Sequence, residues 1–366
     1  MSKRILILSE AYGAGHTKAA EAIKDGVQVL GQEIQVDVIE LGNWLRPYFS
    51  KALSNIYVKI LQYSPKLWGM MYHKSVNKKV IPSFEYFFHR VLYTQIMQLL
   101  NEYQPSIIIC THPLPSAVIS RLKRIGLKTP LYTVVTDYAV HGSWISDHVD
   151  KYFIPSTKLV EGYEKLGIEK NKLFPYGIPV HPSFWRKQKK ELIRQKLNLP
   201  NKPTMLCMGG GLGIGLSNEY IETLLTYQDD LQLIFVTGKN KKLYKIMKDL
   251  QENAGSNFKL YSFVDNISEL MDASDIVFTK PGGITCSEAI SKKIPLLLGN
   301  AIPGQEEENL SFMIKEKYGV FIQDSTALHH FIQYFINDPG FLKKHYNPVP
   351  IKNGGYKLIH EIIKEN

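Results

Sequence analysis

Short apolar runs separated by longer stretches of helical periodicity set the pattern of the chain. In the first half the runs are 3–9, 34–41, 106–110, 131–136, 152–154 and 173–176. In the second they are 203–208, 231–237, 258–261, 275–279, 295–298 and 320–322. Runs this short and this uniformly apolar predict strands buried on both faces, and their alternation with helical stretches such as 17–28 predicts an α/β protein built on parallel sheets. The first cycle ends at Gly177-Ile178-Pro179-Val180-His181-Pro182, and a lysine-rich helical stretch, 186–197, follows it. The pattern therefore predicts a first domain over 1–180 and a second over 181–340. A C-terminal segment, 341–366, carries a helical stretch that is expected to cross back and brace the first domain.

Glycine-rich turns stand where predicted strands give way to helices: Gly13-Ala14-Gly15-His16, Gly209-Gly210-Gly211-Leu212-Gly213, and Lys280-Pro281-Gly282-Gly283. Their recurrence in both halves predicts two facing Rossmann-like domains with a cleft between them. The turn at Gly282 and Gly283 is the most specific. Backbone N–H groups at the helix start suit a diphosphate, Thr285 adds a hydroxyl, and Glu288 lies one turn further on, placed to accept from ribose hydroxyls. Downstream, Pro303-Gly304 introduces Gln305, Glu306 and Asn309 after another apolar run, and such a polar loop suits sugar hydroxyls, which need several donors and acceptors at once. A nucleotide sugar is the ligand these features predict.

Charge adds a second theme. The 366 residues carry a formal net charge of +10 and a pI near 9.2, which predicts an anionic partner. Much of the excess falls in residues 42–95, where eight cations face a single acid, Glu85, among many aromatic side chains. Cations with interfacial aromatics fit an anionic bilayer, each Lys or Arg contributing on the order of 1 kcal/mol near its surface. Trp44, Arg46, Lys51, Lys59, Lys66, Trp68, Lys78 and Lys79 are the predicted membrane face. The same composition could grip a nucleic acid, but no RNA-binding motif accompanies it, so no nucleic-acid partner is expected. No apolar run approaches the roughly 18–20 residues of a spanning helix, and Met1-Ser2-Lys3-Arg4 leads straight into a strand, so a cytoplasmic protein is expected, peripheral on the inner face of the cell membrane. Cys110, Cys207 and Cys286 are widely spaced and read as buried free thiols.

Taken together, Gly13-Ala14-Gly15-His16 with Ala19-Ala20-Glu21-Ala22-Ile23, Thr136-Asp137-Tyr138 with His141 and Trp144, Tyr176-Gly177-Ile178-Pro179-Val180, and the segments around Gly282 and Gln305 resemble the monogalactosyldiacylglycerol synthase and processive diacylglycerol glucosyltransferase group. That group is related to the peptidoglycan N-acetylglucosaminyltransferase. The resemblance implies a GT-B fold and an inverting glycosyltransferase that moves a hexose from UDP-glucose or UDP-galactose to diacylglycerol or a glycosyl-diacylglycerol. It implies donor contacts from Gly209, Gly210, Gly211, Gly282, Gly283, Thr285, Glu288, Gln305, Glu306 and Asn309. Gly13, Gly15, His112, Tyr138 and His141 would line the acceptor side. Inversion needs a base for the acceptor's proton, and His16 or Asp137 is expected to supply it, Asp137 otherwise orienting His16. No cofactor is expected, and helix-terminal amides can carry the diphosphate, so a metal is not required. Ala14 stands where the family commonly has glycine. Two alternatives share the nucleotide pocket: a UDP-sugar epimerase, and a non-catalytic membrane-associated nucleotide-sugar-binding protein.

Overall fold

A computed structural model describes residues 4–10, 14–31, 33–45, 47–48, 56, 59–60, 63–75, 95–211, 213, 215–253, 257–338, 340–342, 346 and 354–365. The chain divides into two compact units. The first comprises Met1–Pro182, Ile302–Gln305 and Ile351–Asn366, and the second Ser183–Ala301 and Glu306–Pro350.

The first unit holds six parallel strands: β1 (Arg4–Ser9), β2 (Gln35–Glu40), β3 (Ile107–Cys110), β4 (Leu131–Val134), β5 (Lys151–Phe153) and β6 (Leu173–Phe174). They lie in the order β2-β1-β3-β4-β5-β6. Ile5 to Leu8 and Ile108 to Cys110 are wholly buried, as central strands covered on both faces require. Helix α1 (Ala14–Val29) turns Ala19, Ala20, Ile23 and Val27 into the core. Helices α2 (Leu41–Leu45) and α3 (Pro65–Ser75) follow β2, and α4 (Pro113–Arg124) follows β3.

In the second unit β7 (Thr204–Met208), β8 (Gln232–Val236), β9 (Lys259–Tyr261), β10 (Ile276–Thr279), β11 (Leu296–Leu298) and β12 (Gly319–Phe321) form another parallel sheet, ordered β12-β11-β10-β7-β8-β9. Helices α5 (Asn218–Leu225), α6 (Gly283–Ser291) and α7 (Gln305–Lys315) come after β7, β10 and β11 in turn. The last helix, α8 (Gly354–Glu365), buries Leu358, Ile359 and Ile362 and packs on α1, and its Glu361 pairs with Lys151 at 2.7 Å.

In each sheet the strand order doubles back once, at β1/β3 and at β7/β10. Such a reversal splays the two loops at the strands' C-terminal ends apart, and ligands of open α/β sheets bind there. The second reversal lies beside the glycine turns after β7 and β10.

Lys292 and Asp272 form a solvent-inaccessible ion pair in the second unit, Nζ to Oδ2 2.6 Å, and Nζ also donates to the Arg186 carbonyl at 2.6 Å. Removing one partner strands a buried charge. Lys292→Met should cost about 3–5 kcal/mol in guanidinium unfolding, and adding Asp272→Leu should recover most of it.

Candidate active site

The reversal in the first sheet gathers a histidine-rich group. His16, in the first turn of α1, is half-buried with its Nδ1 2.9 Å from the Thr111 carbonyl and 2.9 Å from Thr136 Oγ1. A carbonyl only accepts, so Nδ1 carries the proton and Nε2 keeps its lone pair. His112 and His141 hold the opposite tautomer. His112 caps α4, its Nδ1 accepting from Leu114 N at 3.1 Å, and His141 Nδ1 accepts from Ser143 N at 3.1 Å. Each of these imidazoles is therefore protonated at Nε2 when neutral, and His141 Nε2 lies 3.4 Å from the Tyr72 carbonyl. Of the three, His16 alone presents an imidazole nitrogen able to take a proton. His112 stands edge-on to it, ring centroids 4.7 Å apart, and Trp144 lies at 6.0 Å.

Asp137 follows β4 and is buried. Burial pushes its carboxyl above the ordinary carboxylate range, while His16, the Gln305 amide, the Trp144 indole N–H and His141 pull it back. Gln305 Nε2 donates to Asp137 Oδ1. Gln305 and Trp144 thus give Asp137 two donors beside His16. Burial in turn lowers the His16 pKa, opposed by Asp137 and by the Thr111 carbonyl. Burial, with His16 nearby, holds His112 well below the ordinary value.

Sequence reasoning did not single out Glu10. It directly follows β1, with Oε1 accepting from Gly42 N at 3.0 Å, and Oε2 is buried without a hydrogen-bond partner among the described residues. Burial raises its pKa to about 7, against the pull of the Gly42 N–H and with the push of Glu40. The signal was present: an acid directly after a buried strand and just before a glycine turn.

At the reversal in the second sheet, β7 runs into Gly209, Gly210 and Gly211, and β10 runs through Lys280-Pro281-Gly282 into α6. Gly213 has φ +64°, and a Cβ there would meet the Thr237 carbonyl oxygen at 2.2 Å, so this turn requires glycine. No side chain caps α6 at Gly282, so the amides at Gly283 and beyond point out of the helix start. Thr285 is half-buried on the first turn, and Glu288, one turn on, is buried. Lys280, given no role in the sequence reading, lies across the glycine turn: a Cβ on Gly210 or Gly215 would come within 3.0 or 3.1 Å of its side chain. A lysine just ahead of Pro-Gly-Gly was the cue.

Several expectations change in the folded chain. Glu306, assigned to sugar hydroxyls, pairs with Lys280, both side chains largely buried. Asn309 is buried and gives its amide to the Pro281 carbonyl at 3.0 Å, bracing the turn. Gln305 belongs to the first unit, on Asp137. Tyr138, expected on the acceptor side, is buried. In the basic segment, Trp44, Lys59 and Lys66 are exposed, but Trp68 is half-buried on the inner side of α3. Gly15 is half-buried in α1, while Gly13, Arg46, Lys51, Lys78 and Lys79 lie outside the described residues. Among the described residues no group of three metal-ligating side chains gathers, and no helix is long and apolar enough to cross a membrane. The three cysteines are free and buried, which pushes their thiols up.

Residues 16–180 match the monogalactosyldiacylglycerol (MGDG) synthase family, and residues 205–332 the glycosyltransferase family 28 C-terminal domain. A processive diacylglycerol beta-glucosyltransferase of Bacillus cereus (strain B4264) is 31% identical over 330 residues, covering 89% of this chain and 83% of that protein. The chain belongs to this glycosyltransferase family. The protein of the same description from Bacillus subtilis (strain 168) is 29% identical over 372 residues, 100% of this chain and 96% of its own. The crystal structure of MurG from Acinetobacter baumannii superposes with a TM-score of 0.62 at 12% identity over 99% of both chains, which establishes the GT-B fold.

Because burial lowers the His16 pKa, His16 should stay neutral below its ordinary 6.5. Asp137→Asn removes the charge that opposes this shift, so an NMR titration of the His16 ring should show its midpoint moving to lower pH in that variant.

Proposed function

We propose that this protein is an inverting glycosyltransferase that moves glucose from UDP-glucose to diacylglycerol, or to a glycosyl-diacylglycerol, at the cytoplasmic surface of the membrane. The observation that carries the reading is the His16 tautomer: Nδ1 is committed to the Thr111 carbonyl at 2.9 Å, which leaves Nε2 as a base. The acceptor hydroxyl oxygen attacks C1 of the sugar, the bond from C1 to the diphosphate oxygen breaks, and the hydroxyl proton passes to Nε2. Asp137 steadies the imidazolium that forms. The departing UDP carries the negative charge, which the amides at the start of α6 are suited to meet. Glu288 takes the ribose, and the turns at Gly209 to Gly211 and at Gly282 allow the diphosphate to approach the backbone closely.

The relatives named beta-glucosyltransferases support glucose as the sugar. They also support inversion, since the glucose of UDP-glucose is α-linked and one displacement yields the β product. Helix-terminal amides are expected to carry the diphosphate in this reading, so transfer should persist in excess chelator.

Purified protein incubated with UDP-glucose, UDP-galactose or UDP-N-acetylglucosamine and diacylglycerol vesicles should form a β-linked glucosyl lipid from the first alone. His16→Ala should lower kcat by about 10²–10⁴-fold while far-ultraviolet circular dichroism stays unchanged. Turnover of UDP-sugar without lipid, or an unimpaired His16→Ala enzyme, would defeat this assignment.

A further inference from the structure

Helix α3 has two different faces. Pro65, Trp68, Gly69 and Tyr72 follow the three- and four-residue spacing of one side, and Lys66, Leu67, Met70 and Lys74 occupy the other, all four exposed. The inner side closes on the tetrapeptide Ile302–Gln305 of the same unit. A Cβ on Gly69 would lie 2.7 Å from Pro303 Cβ, nearer than two such atoms can approach. Gly304 has φ +96°, and a Cβ there would lie 2.9 Å from Tyr72 Cγ. Tyr72 also stacks obliquely on His141, ring centroids 4.4 Å apart. The next residue in the tetrapeptide is Gln305, whose amide holds Asp137.

The outer side repeats a chemistry found elsewhere in this region. Leu67 and Met70 project between Lys66 and Lys74, and Tyr63, just ahead of the helix, is 81% exposed. Apolar side chains flanked by cations fit an anionic lipid surface, where the apolar groups enter the interface and the lysines meet headgroups.

We propose that α3 joins membrane contact to catalytic geometry. Its outer face rests on an anionic lipid surface, and its inner face, through Gly69 and Tyr72, seats the Pro303-Gly304 turn that places Gln305 on Asp137. The proposal rests on the reading of the protein as a lipid glycosyltransferase. Gly69 and Tyr72 are positioning residues: they touch neither donor nor acceptor and act through Gln305.

The outer face is tested by co-sedimentation with phosphatidylglycerol-containing vesicles. Leu67→Glu/Met70→Glu should weaken binding by about tenfold or more, with transfer to monomeric dioctanoylglycerol kept. Wild-type binding by this variant would overturn the lipid assignment. So would a wild-type dimer in light scattering that the variant turns into a monomer, since the face would then belong to a second copy. For the inner face, Gly69→Ala should bind vesicles as the wild type does and lose kcat by about tenfold or more on both acceptors, with the acceptor KM unchanged. Combining it with Pro303→Gly, which removes the Cβ that the new methyl meets, should restore kcat to the level of Pro303→Gly alone. Tyr72→Leu serves as the second variant should Gly69→Ala fail to fold, with the same loss of kcat expected. Failure of the double variant to recover, or full kcat in both single variants, would overturn the positioning role. Co-sedimentation and hydrogen exchange over residues 301–309, faster in Gly69→Ala than in the wild type, need no turnover. They decide the proposal even if no UDP-sugar is transferred to any lipid, an outcome that would instead sink the assigned reaction.

Discussion

Within each sheet every described strand runs parallel to its neighbours, and this single constraint organises the chemistry. Parallel strands must be joined by crossovers, so the loops leaving their C-terminal ends collect along one edge of each sheet. In the first sheet that edge receives Glu10 after β1, Thr111 and His112 after β3, and Thr136 and Asp137 after β4. In the second it receives Gly209 after β7 and Lys280 to Gly282 after β10. The reversals at β1/β3 and β7/β10 make room at those points. The polar groups are then held by short, specific bonds, such as the 2.9 Å contact between His16 and Thr111.

The strands were legible because each is a short, continuous apolar run, and burial on both faces leaves no other reading for so many of them between helical stretches. Their lateral order was not legible. Periodicity says that a strand is buried but not which strand lies beside it, so nothing in the residues announced that β4 would bring Thr136 within hydrogen-bond distance of His16. The proposal of His16 rather than Asp137 as base rests on this neighbourhood. His16 and Asp137 look interchangeable as titratable groups in a sequence, and only the direction of the Nδ1 hydrogen bond and the donors spent on Asp137 give them different roles.

The polar loop after β11 shows the same limit from the other side. Gln305, Glu306 and Asn309 read as a set of sugar contacts because all three can exchange hydrogen bonds. Each also has a protein partner far away in sequence: Asp137, Lys280 and the Pro281 carbonyl. A polar side chain advertises capacity, and folding decides how much of it is spent internally. Trp68 shows a related limit. An aromatic among lysines looks interfacial until helical spacing sets it on the same side as Gly69 and Tyr72, facing the protein.

The atom that fixes the His16 tautomer belongs to the main chain. Any residue at position 111 would offer the same carbonyl, so the proton-accepting state of the imidazole is insulated from side-chain substitution there. It depends instead on the register of β3 against β1, in which Leu8 lies opposite Cys110 and the Thr111 N–H bonds the Leu8 carbonyl at 3.0 Å. The basicity of one side chain is thus inherited from the alignment of two strands, and drift in the surrounding sequence can leave it intact for as long as the sheet keeps its pairing.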